Sequence, residues 1–359
     1  MTTTSWAVVL PSRDEPNTIA AVAMAADRTL GDPDALIVNV DHSRDNSTKQ
    51  AFDSASTRAR RQYLPVPSLG KGVQLLHGLG YVRQLGFGRA LVLDTDVTNP
   101  SSLLYGSLVA AVEQGCDFAV PAYRRHWFEA NLTNHVVRPL LAATTGVDID
   151  QPLAGDVALS VEAVAALEHR YGAQTDAMLR ACIGGYGIDA FVTLAVAAMR
   201  GRIRSVVWKG TKHHASSFGH LPKIYREAVP VLLAVTAWSD PIGAVPHTYD
   251  LAPTALPEPS LIAMLQELRD LRSACLQLAT GHPSWPKALS TAWLRTRRGD
   301  APILVAERLW PFYLDRVMDY LAIGHSQGVA AATDTLAAAG VMLGHDMKQA
   351  AELGIVESA

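Results

Sequence analysis

The first 120 residues alternate short, continuous apolar runs with stretches whose apolar residues recur at helical spacing. Short strands that are apolar on both faces and separated by helices are typical of a parallel sheet covered on both sides. The pattern therefore predicts an α/β nucleotide-binding layout. The predicted strands are Ala7–Pro11, Ala35–Val40, Ala90–Asp94 and Phe118–Pro121, and the predicted helices are Asn17–Thr29, Ser47–Arg61 and Ser101–Gln114.

A different pattern begins near residue 125. Helical periodicity alternates with Gly-rich connections, and the Pro-rich segment LAPTALPEPS at 251–260 leads into a helical tail. Here the predicted helices are Asn131–Thr145, Val161–His169, Ile188–Met199, Leu261–Leu278, Ile303–Ile323 and Gly328–Ala339, with one strand at Ile203–Val207. The closely spaced Trp310, Phe312 and Tyr313 favour core packing or a contact in a homodimer.

Composition narrows the class of protein. The chain has 359 residues and a formal charge of −3, without a basic tract or an apolar run of roughly 18 residues, so neither nucleic acid nor a membrane is an expected partner. The amino-terminal residues do not resemble a signal peptide. Three scattered cysteines without a CxxC pair favour a reducing compartment and disfavour a structural zinc site. We expect a cytoplasmic protein.

Polar residues follow the first three predicted strands. These segments are Ser12-Arg13-Asp14-Glu15, Asp41-His42-Ser43 and Asp94-Thr95-Asp96. In open α/β sheets, ligands bind in the crevice beyond the carboxyl ends of the strands. Carboxylates at those ends are hydrogen-bond acceptors suited to ribose hydroxyls or to a base N–H, although Glu15 and Asn17 are also candidates to cap the following helix.

The segment LVLDTDVTNP at 91–100 places two aspartates at a strand end. Because side chains alternate along an extended chain, Asp94 and Asp96 are expected on the same side. Two converging carboxylates suit Mg²⁺ or Mn²⁺, which commonly bridge carboxylates to phosphates. The alternative is structural: one aspartate caps the helix at Ser101 or closes the Asn-Pro turn, and the other is solvated.

Three further positions are candidates for the same chemistry. Lys71 lies between two glycines, whose missing side chains are expected to let the backbone come close to a ligand. At the start of a helix it suits a phosphate, unless it is an ordinary loop lysine. His213 or His214 would supply a nitrogen ligand for a metal, unless both are ordinary surface residues. Asp189 follows a glycine turn at a predicted helix start, where its charge also favours the helix dipole.

Taken together, these segments resemble GT-A glycosyltransferases, and in particular the glucosyl-3-phosphoglycerate and mannosylglycerate synthases. The resemblance lies in VVLPSRDEPNTI (8–19), VNVDHSRDNST (38–48), GKG (70–72), the Asp-x-Asp segment, QPLAGDVALS (151–160), GGYGIDAFVTLAV (184–196), KHHA (212–215) and LWPFYLDRV (309–317). It implies a Rossmann-like GT-A fold with a mainly helical C-terminal part. The implied division is a nucleotide-sugar-binding half at 1–122, an acceptor-binding half at 123–250 and a helical region at 251–359.

The resemblance also implies roles for individual residues. Asp94, Asp96 and His214, with His213 as the fallback, would hold Mg²⁺ or Mn²⁺. Catalytic roles fall on Asp189, Asp156 and Lys71, although Asp156 is shorter than the family's Glu and Ala154 replaces a family glycine. The donor would contact Pro11, Ser12, Arg13, Glu15, Asp41, Lys71, Asp94 and Thr95, and the acceptor would contact Arg124, Asn131, Thr133, Asn134 and His135.

The acceptor segment departs from the phosphoglycerate-using relatives. Aligning the Arg-Pro-Leu-Leu at 138–141 puts Asn131 where they carry an arginine. An asparagine has neither the charge nor the fork that binds phosphate strongly. A hydroxylated acceptor with fewer charges, such as glycerate, a sugar or a cyclitol, is therefore favoured over 3-phosphoglycerate, unless Arg124, Arg125 or His135 compensates.

The expected activity is transfer of a hexosyl group from an NDP-sugar, of the UDP-glucose or GDP-mannose type, to a small hydroxylated acceptor. The family retains the anomeric configuration; Asp189 acting as a base would instead give inversion. Two alternatives are a sugar-1-phosphate nucleotidyltransferase and a non-catalytic NDP-sugar-binding protein. An NAD dehydrogenase is disfavoured, because no G-x-G-x-x-G follows the first strand.

Overall fold

The computed structural model describes residues 3–67, 70–213, 218–275 and 283–356, and these form two compact units. Unit 1 comprises Met1–Tyr123 and Gln151–Ala228, and unit 2 comprises Arg124–Asp150 and Val229–Ala359. The three-part functional division at residues 122 and 250 stays a prediction.

Unit 1 contains a seven-stranded sheet and unit 2 a two-stranded one. The strands are β1 (Thr3–Ser12), β2 (Leu36–Asp41), β3 (Arg60–Pro65), β4 (Phe87–Val92), β5 (Phe118–Tyr123), β6 (Arg125–His126), β7 (Val157–Leu159), β8 (Ile203–Trp208) and β9 (Leu251–Ala252). The small sheet pairs β6 with β9 in parallel.

The strand order in the large sheet fixes where a ligand crevice is expected. The order is β3-β2-β1-β4-β7-β5-β8, and all neighbours are parallel except β7, which is antiparallel to β4 and β5. From β1 the chain runs outward through β2 and β3, then returns to β4 on the other side. The carboxyl ends of β1 and β4 therefore flank the topological switch point, where ligands bind in such sheets.

Apolar strands form the core of unit 1, as the sequence pattern predicts. Val8, Leu10, Ile37 and Leu91 are fully buried, because helices cover both faces of the sheet.

The helices are α1 (Ile19–Leu30), α2 (Ser47–Ser54), α3 (Lys71–Gln84), α4 (Ser102–Glu113), α5 (Arg138–Thr145), α6 (Val161–Ala173), α7 (Ala177–Gly184), α8 (Gly187–Ala198), α9 (Leu221–Thr236), α10 (Glu258–Ser273), α11 (Trp285–Arg297), α12 (Pro302–Gln327) and α13 (Val329–Val356). Helix α9 begins in unit 1 and ends in unit 2. Within the described residues no single helix has the length and hydrophobicity to cross a membrane; α7 and α8 reach that threshold only as a pair bent by 104°.

One predicted helix is partly wrong. The stretch at 47–61 is helical only to Ser54, and β3 begins at Arg60. Strand β3 is an edge strand that pairs only with β2, and its residues are exposed or half-buried, so it lacks the continuous apolar run that marks the other parallel strands. The helices predicted at 17–29, 101–114, 161–169 and 188–199 are confirmed by α1, α4, α6 and α8.

Unit 2 is mainly helical and has an aromatic core. Trp293 is fully buried and donates its indole N–H to the carbonyl of Thr236 at 3.1 Å. Tyr313 is also fully buried and stacks on Trp310 with ring centroids 5.7 Å apart, which confirms core packing for Tyr313. Trp310 and Phe312 are half-buried, and a homodimer contact for them stays a prediction. The helix predicted over 131–145 is confirmed: these residues are helical throughout, with a π-helical turn at Thr133–Val137 before α5.

Candidate active site

Three aspartates and two lysines lie close together at one edge of the large sheet. Asp94 follows β4, and Asp156 precedes β7. Because β7 runs antiparallel to β4, its amino end lies at the same edge as the carboxyl end of β4. The two segments are tied directly, since the backbone N–H of Asp94 donates to Oδ1 of Asp156 at 2.9 Å.

The five charged side chains form a linear series of alternating ion pairs, which we call the ion-pair chain. Lys71 Nζ lies 3.0 Å from Asp189 Oδ1 and 3.0 Å from Asp94 Oδ1. Lys212 Nζ lies 2.7 Å from Asp94 Oδ2 and 2.9 Å from Asp156 Oδ2. Each lysine is thus shared between two aspartates, and Asp94 at the centre has a lysine on each oxygen.

The glycines around Lys71 explain its position, but not as expected from the sequence. A Cβ at Gly70 would collide with the carbonyl oxygen of Gly184, and one at Gly72 with that of Ile183. Gly72 N–H also donates to the Gly185 carbonyl at 3.2 Å. The missing side chains therefore allow close approach of the 183–185 backbone rather than of a ligand. This contact fixes Lys71 beside the segment that leads to Asp189.

Gly155 serves Asp94 in the same way. The carboxylate of Asp94 occupies the place that a Cβ at position 155 would take. The glycine before Asp156 is thus required for Asp94 to reach both lysines.

The pKa shifts follow from burial and from this sharing of charge. Burial opposes ionisation of Asp94, yet Lys212 and Lys71 lower its pKa far below the usual value. Burial would lower the pKa of Lys71, but Asp189 and Asp94 raise it. At the end of the chain, burial raises the pKa of Asp189 to about 6, because Lys71 is shared with Asp94 and offsets only part of the desolvation.

Asp156, at the other end, shows a shift in the same direction. Burial raises its pKa, Lys212 acts against that shift, and the charge of Asp94 adds to it. Close by, the buried Tyr105 hydroxyl has no hydrogen-bond partner among the residues that the structure describes. Burial raises the pKa of this phenol, and the charge of Asp156 contributes to the rise. Tyr105 is therefore a neutral side chain near Asp156, the buried end of the ion-pair chain.

Asp96 follows Thr95 in the sequence, and its surroundings differ from those of Asp94. It is half-buried. Its negative charge contributes to the raised pKa of Glu15, for which burial is the main cause, and to the raised pKa of Tyr186, where burial again comes first. Lys71 and Asp189 also act on the pKa of Tyr186, so Asp96 and the ion-pair chain lie near the same tyrosine.

The predicted metal ligands are not equally available to an ion. Ammonium groups take both oxygens of Asp94, so the carboxylate offered to an ion is that of Asp96. Within the described residues there is no group of three or more His, Cys, Asp or Glu side chains spaced to hold a metal. His214, the predicted nitrogen ligand, lies outside the described residues. Of the two aspartates predicted to bind a metal, only Asp96 has a carboxylate that is free of ammonium partners among the described residues.

The segment before His214 is held against the Asp-x-Asp turn. Thr98 N–H donates to the His213 carbonyl at 3.0 Å, and His213 N–H donates to Asn99 Oδ1 at 2.7 Å. Asn99 Nδ2 donates in turn to the Thr211 carbonyl at 2.7 Å. The His213 ring is exposed and contacts Thr211 Oγ1 at 2.9 Å. These bonds bring Lys212 to Asp94.

Two structural alternatives from the sequence are wrong. The cap of α4 is the side chain of Ser101 itself, which accepts from Leu104 N–H at 3.3 Å, so neither aspartate caps that helix. The cap position of α1 is Thr18, where no side chain makes a capping hydrogen bond. Glu15 contributes its backbone carbonyl there and accepts a side-chain bond from Thr18 at 3.1 Å.

The predicted donor-binding residues at the ends of β1 and β2 are largely engaged with one another. Asp41 is buried and accepts from Ser12 and Ser43 at 2.7 Å each and from Tyr63 at 3.0 Å. Thr95 is buried too and donates to the Pro11 carbonyl at 2.8 Å. These residues shape the floor of the crevice, and their donor contacts stay a prediction.

Asp14 and Arg13 occupy the more accessible rim. Asp14 has a left-handed backbone with φ 58° and binds Arg44 through N–H and Nε at 2.9 and 3.0 Å. Arg13 is 54% exposed and lies 3.8 Å from Asp14. The guanidinium of Arg13 is therefore available to a ligand.

The predicted acceptor residues all belong to unit 2. Arg124 is exposed and pairs with Asp250 at 2.8 Å. Asn131 is buried and donates to the Phe128 carbonyl at 3.0 Å, while Thr133 in the π-helical turn is also buried. Asn134 and His135, the other two predicted acceptor residues, are buried as well.

Lys212 and Gly155 are the residues of this site that sequence reasoning misses. Both lie inside segments singled out for their resemblance, KHHA and QPLAGD. A lysine two residues before a candidate metal ligand is a signal of positive charge near the diphosphate. Its pairing with Asp94 and Asp156 depends on tertiary contacts that spacing does not reveal.

Comparison with known proteins supports the architecture. No family model matches the sequence, and no curated protein sequence matches it either. Among solved structures, glucosyl-3-phosphoglycerate synthase from Mycobacterium tuberculosis with Mn²⁺, UDP-glucose and phosphoglyceric acid is similar at a TM-score of 0.52 and 23% identity. The match covers 72% of this chain and 91% of that one.

Two other structures agree. The same synthase with Mg²⁺ and UDP has a TM-score of 0.51 at 22% identity, covering 72% of this chain and 92% of that one. A mycobacterial protein has a TM-score of 0.52 at 24% identity, covering 68% of this chain and 78% of that one. The predicted α/β fold is thereby confirmed: the chain has the GT-A glycosyltransferase fold that these synthases share.

Proposed function

We propose that this protein is a metal-dependent glycosyltransferase, which moves a hexosyl group from an NDP-sugar to the hydroxyl of a small polar acceptor. The observation that carries the proposal is the ion-pair chain at the switch point of the sheet, directly beside Asp96. A buried array of fixed charges at a ligand crevice is suited to stabilise charge that develops on a leaving diphosphate. Solved structures of the same fold contain UDP-glucose with Mn²⁺ and UDP with Mg²⁺, which agrees with this assignment.

Within the proposal, Asp96 and a ligand from the segment after His213 would hold Mg²⁺ or Mn²⁺. When bound, the ion would supply positive charge to the diphosphate leaving group. The protein's own part is electrostatic. Lys71, at the start of α3, would present its ammonium group to the donor phosphate or sugar while Asp94 holds it in place.

Asp189 and Asp156 would play different roles. Asp189 ends the ion-pair chain and is 15% exposed, so it is the carboxylate that can accept a hydrogen bond from a sugar hydroxyl. Asp156 is fully buried behind Lys212 and would act as a positioning residue. Because the exposed carboxylate already pairs with Lys71, we propose retention, with the diphosphate assisting removal of the acceptor proton.

The acceptor is proposed to be a hydroxylated molecule with few charges, such as glycerate, a sugar or a cyclitol. Structures of the fold bind phosphoglyceric acid or glycerol 3-phosphate. In this chain Asn131 donates internally to a backbone carbonyl and carries no charge, and Arg124 is neutralised by Asp250. A strongly held phosphate would need a free arginine fork, so a phosphorylated acceptor is disfavoured.

The proposal is tested by incubating the protein with UDP- and GDP-linked glucose and mannose, Mn²⁺ or Mg²⁺, and a panel of small polyols, hydroxy acids and their phosphates. We expect release of NDP that depends on both metal and acceptor, with a product whose anomeric configuration, read by NMR, matches the donor. Release of pyrophosphate from an NTP and a sugar phosphate would instead identify a nucleotidyltransferase. Binding without turnover across the panel would identify a binding protein.

A further inference from the structure

Unit 2 contains a small cavity with two unmatched hydrogen-bond donors. Asn134 and His135, in the π-helical turn, line it together with Trp285, Leu289 and Leu336. The cavity has a volume of about 10 Å³, which leaves room for a single small occupant such as a water molecule or a halide ion. No Asp or Glu is among its lining residues.

The tautomer of His135 follows from its neighbour. Arg316 Nε donates to His135 Nδ1 at 3.3 Å, and because a guanidinium can only donate, Nδ1 must be the acceptor. Burial, together with Arg316, lowers the pKa of His135 well below its ordinary value, so the ring is neutral. The proton therefore lies on Nε2. That atom is buried and has no partner among the residues that the structure describes.

Asn134 presents a second donor. Its side chain is 4% exposed, and Nδ2 has no hydrogen-bond partner within the described part of the chain. Unmatched buried donors destabilise a fold, so native proteins satisfy them with a ligand or an ordered water. Here two donors line one cavity without an opposing carboxylate.

The electrostatic surroundings favour a negative occupant. Arg316 is half-buried, and no carboxylate of a described residue lies within 4 Å of it. Its hydrogen bonds go to neutral groups, the Thr335 carbonyl at 2.9 Å and His135. Burial lowers the pKa of Arg316, and the negative charge of the exposed Asp319 opposes that shift. The positive charge is therefore left without a close counterion beside the two donors.

We propose that this cavity is a binding site for a monovalent anion of about the size of chloride, held by His135 Nε2–H and Asn134 Nδ2–H. An anion accepts from both donors at once, and it is attracted by the charge of Arg316, which lies on the other side of the His135 ring and bonds Nδ1. A water molecule would satisfy the donors but leave the charge uncompensated. The proposed anion joins the π-helical turn to α11 and α13, which contribute Trp285 and Leu336.

The test uses the intact chain and halide salts. The apparent melting temperature of the wild type is measured in sodium chloride, bromide and gluconate at equal ionic strength. We expect it to be a few degrees higher in chloride and bromide, saturating with concentration, because a ligand that binds only the folded state raises apparent stability. Equal melting temperatures in chloride and gluconate would overturn the proposal.

A crystal of the wild type in bromide locates the site without any substitution. An anomalous peak within hydrogen-bond distance of both donors supports the proposal. Density for water alone, or a peak seen only at molar bromide without halide dependence in solution, overturns it. Asn134→Asp, which adds an acceptor and a negative charge, should abolish the halide dependence. Asn17→Asp, the same change at an exposed residue of unit 1, should preserve it.

Discussion

Both units contain partly buried ion pairs, but they are built differently. In unit 1 two lysines are each shared by two aspartates, and Lys71, Asp94 and Asp189 retain 15–23% exposure at a sheet edge. In unit 2 one arginine, Arg138, is 4% exposed, lies 2.9 Å from Asp148 and 3.3 Å from Asp150, and donates to the Thr248 carbonyl at 3.1 Å. The guanidinium also lies 4.5 Å from the Tyr249 ring.

The difference indicates what each network is for. A guanidinium fixed by two carboxylates, a carbonyl and an aromatic ring is rigid, and it joins α5 to the 248–249 segment. Ammonium groups are point charges that move between acceptors, and the chain of Lys71 and Lys212 opens onto the expected ligand crevice. We therefore interpret the unit 2 network as structural and the ion-pair chain as part of the catalytic machinery.

The largest difference between the two networks is expected when the same isosteric change, Asp to Asn, is made in each. Asp94→Asn removes the charge that Lys71 and Lys212 share, so kcat/KM for sugar transfer should fall about 10³-fold, the scale of losing one preorganised electrostatic group. Asp148→Asn should leave kcat/KM within about twofold and lower the free energy of unfolding by about 1–2 kcal/mol, since the partner arginine stays buried. Steady-state kinetics and urea unfolding of both variants measure this contrast.

An unchanged kcat/KM in Asp94→Asn would remove the ion-pair chain from the catalytic machinery. A large loss of activity in a well-folded Asp148→Asn protein would show that the unit 2 network is more than structural.

A methyl group at position 155 gives a smaller effect on the same chain. Gly155→Ala places a Cβ where the Asp94 carboxylate lies, so that carboxylate must shift away from at least one lysine. We expect kcat/KM to fall about 10²-fold with a modest loss of stability. Gly106→Ala in α4, where a Cβ meets nothing within 4 Å, is the matched control and should stabilise the protein by about 0.5–1 kcal/mol. Equal activity in the two variants would contradict the proposed role of Gly155.

The raised pKa of Asp189 predicts a pH dependence. Burial holds its folded-state pKa at about 6, above the ordinary 3.8, so the folded protein binds an extra proton between these values. The stabilising contribution is therefore complete below pH 3.8 and is lost as pH rises through about 6. Relative to Asp189→Asn, the wild type should lose up to about 3 kcal/mol of unfolding free energy from pH 4 to pH 7.

Urea unfolding of both proteins across this pH range gives the difference directly. Asp45→Asn, an exposed aspartate whose pKa is lowered by hydrogen bonds from Ser47, should shift stability in the opposite sense and serves as the control. A flat difference between wild type and Asp189→Asn would mean that Asp189 titrates normally.

Much of unit 1 is predictable from the sequence, for a physical reason. Strands buried on both faces must be continuously apolar, and a parallel sheet puts their carboxyl ends at one edge, so polar residues after each run mark the crevice. Asp94, Asp96, Asp189 and Lys71 follow from that reasoning and from the resemblance. Edge strand β3 lacks an apolar run and β7 is apolar but only three residues long, so neither strand stands out in the sequence.

The site's internal wiring is less predictable. Nothing in the spacing shows that Lys212 occupies an oxygen of Asp94, which leaves Asp96 as the carboxylate offered to a metal. The role of the GKG glycines also differs from the expected one, because the close neighbour is backbone from a distant segment. In unit 2, the burial of Asn134 and His135 depends on α11–α13 packing over a π-helical turn, which periodicity does not encode.

The most direct test of the account is the metal dependence of nucleotide binding at Asp96. Thermal unfolding of the wild type is followed with UDP or GDP, with Mn²⁺, and with both together. We expect nucleotide and metal together to raise the melting temperature by more than the sum of their separate shifts. We expect this excess to be lost in Asp96→Ala, while the ligand-free variant melts at the same temperature as the ligand-free wild type. A metal-dependent shift that persists undiminished in Asp96→Ala would contradict the proposed site.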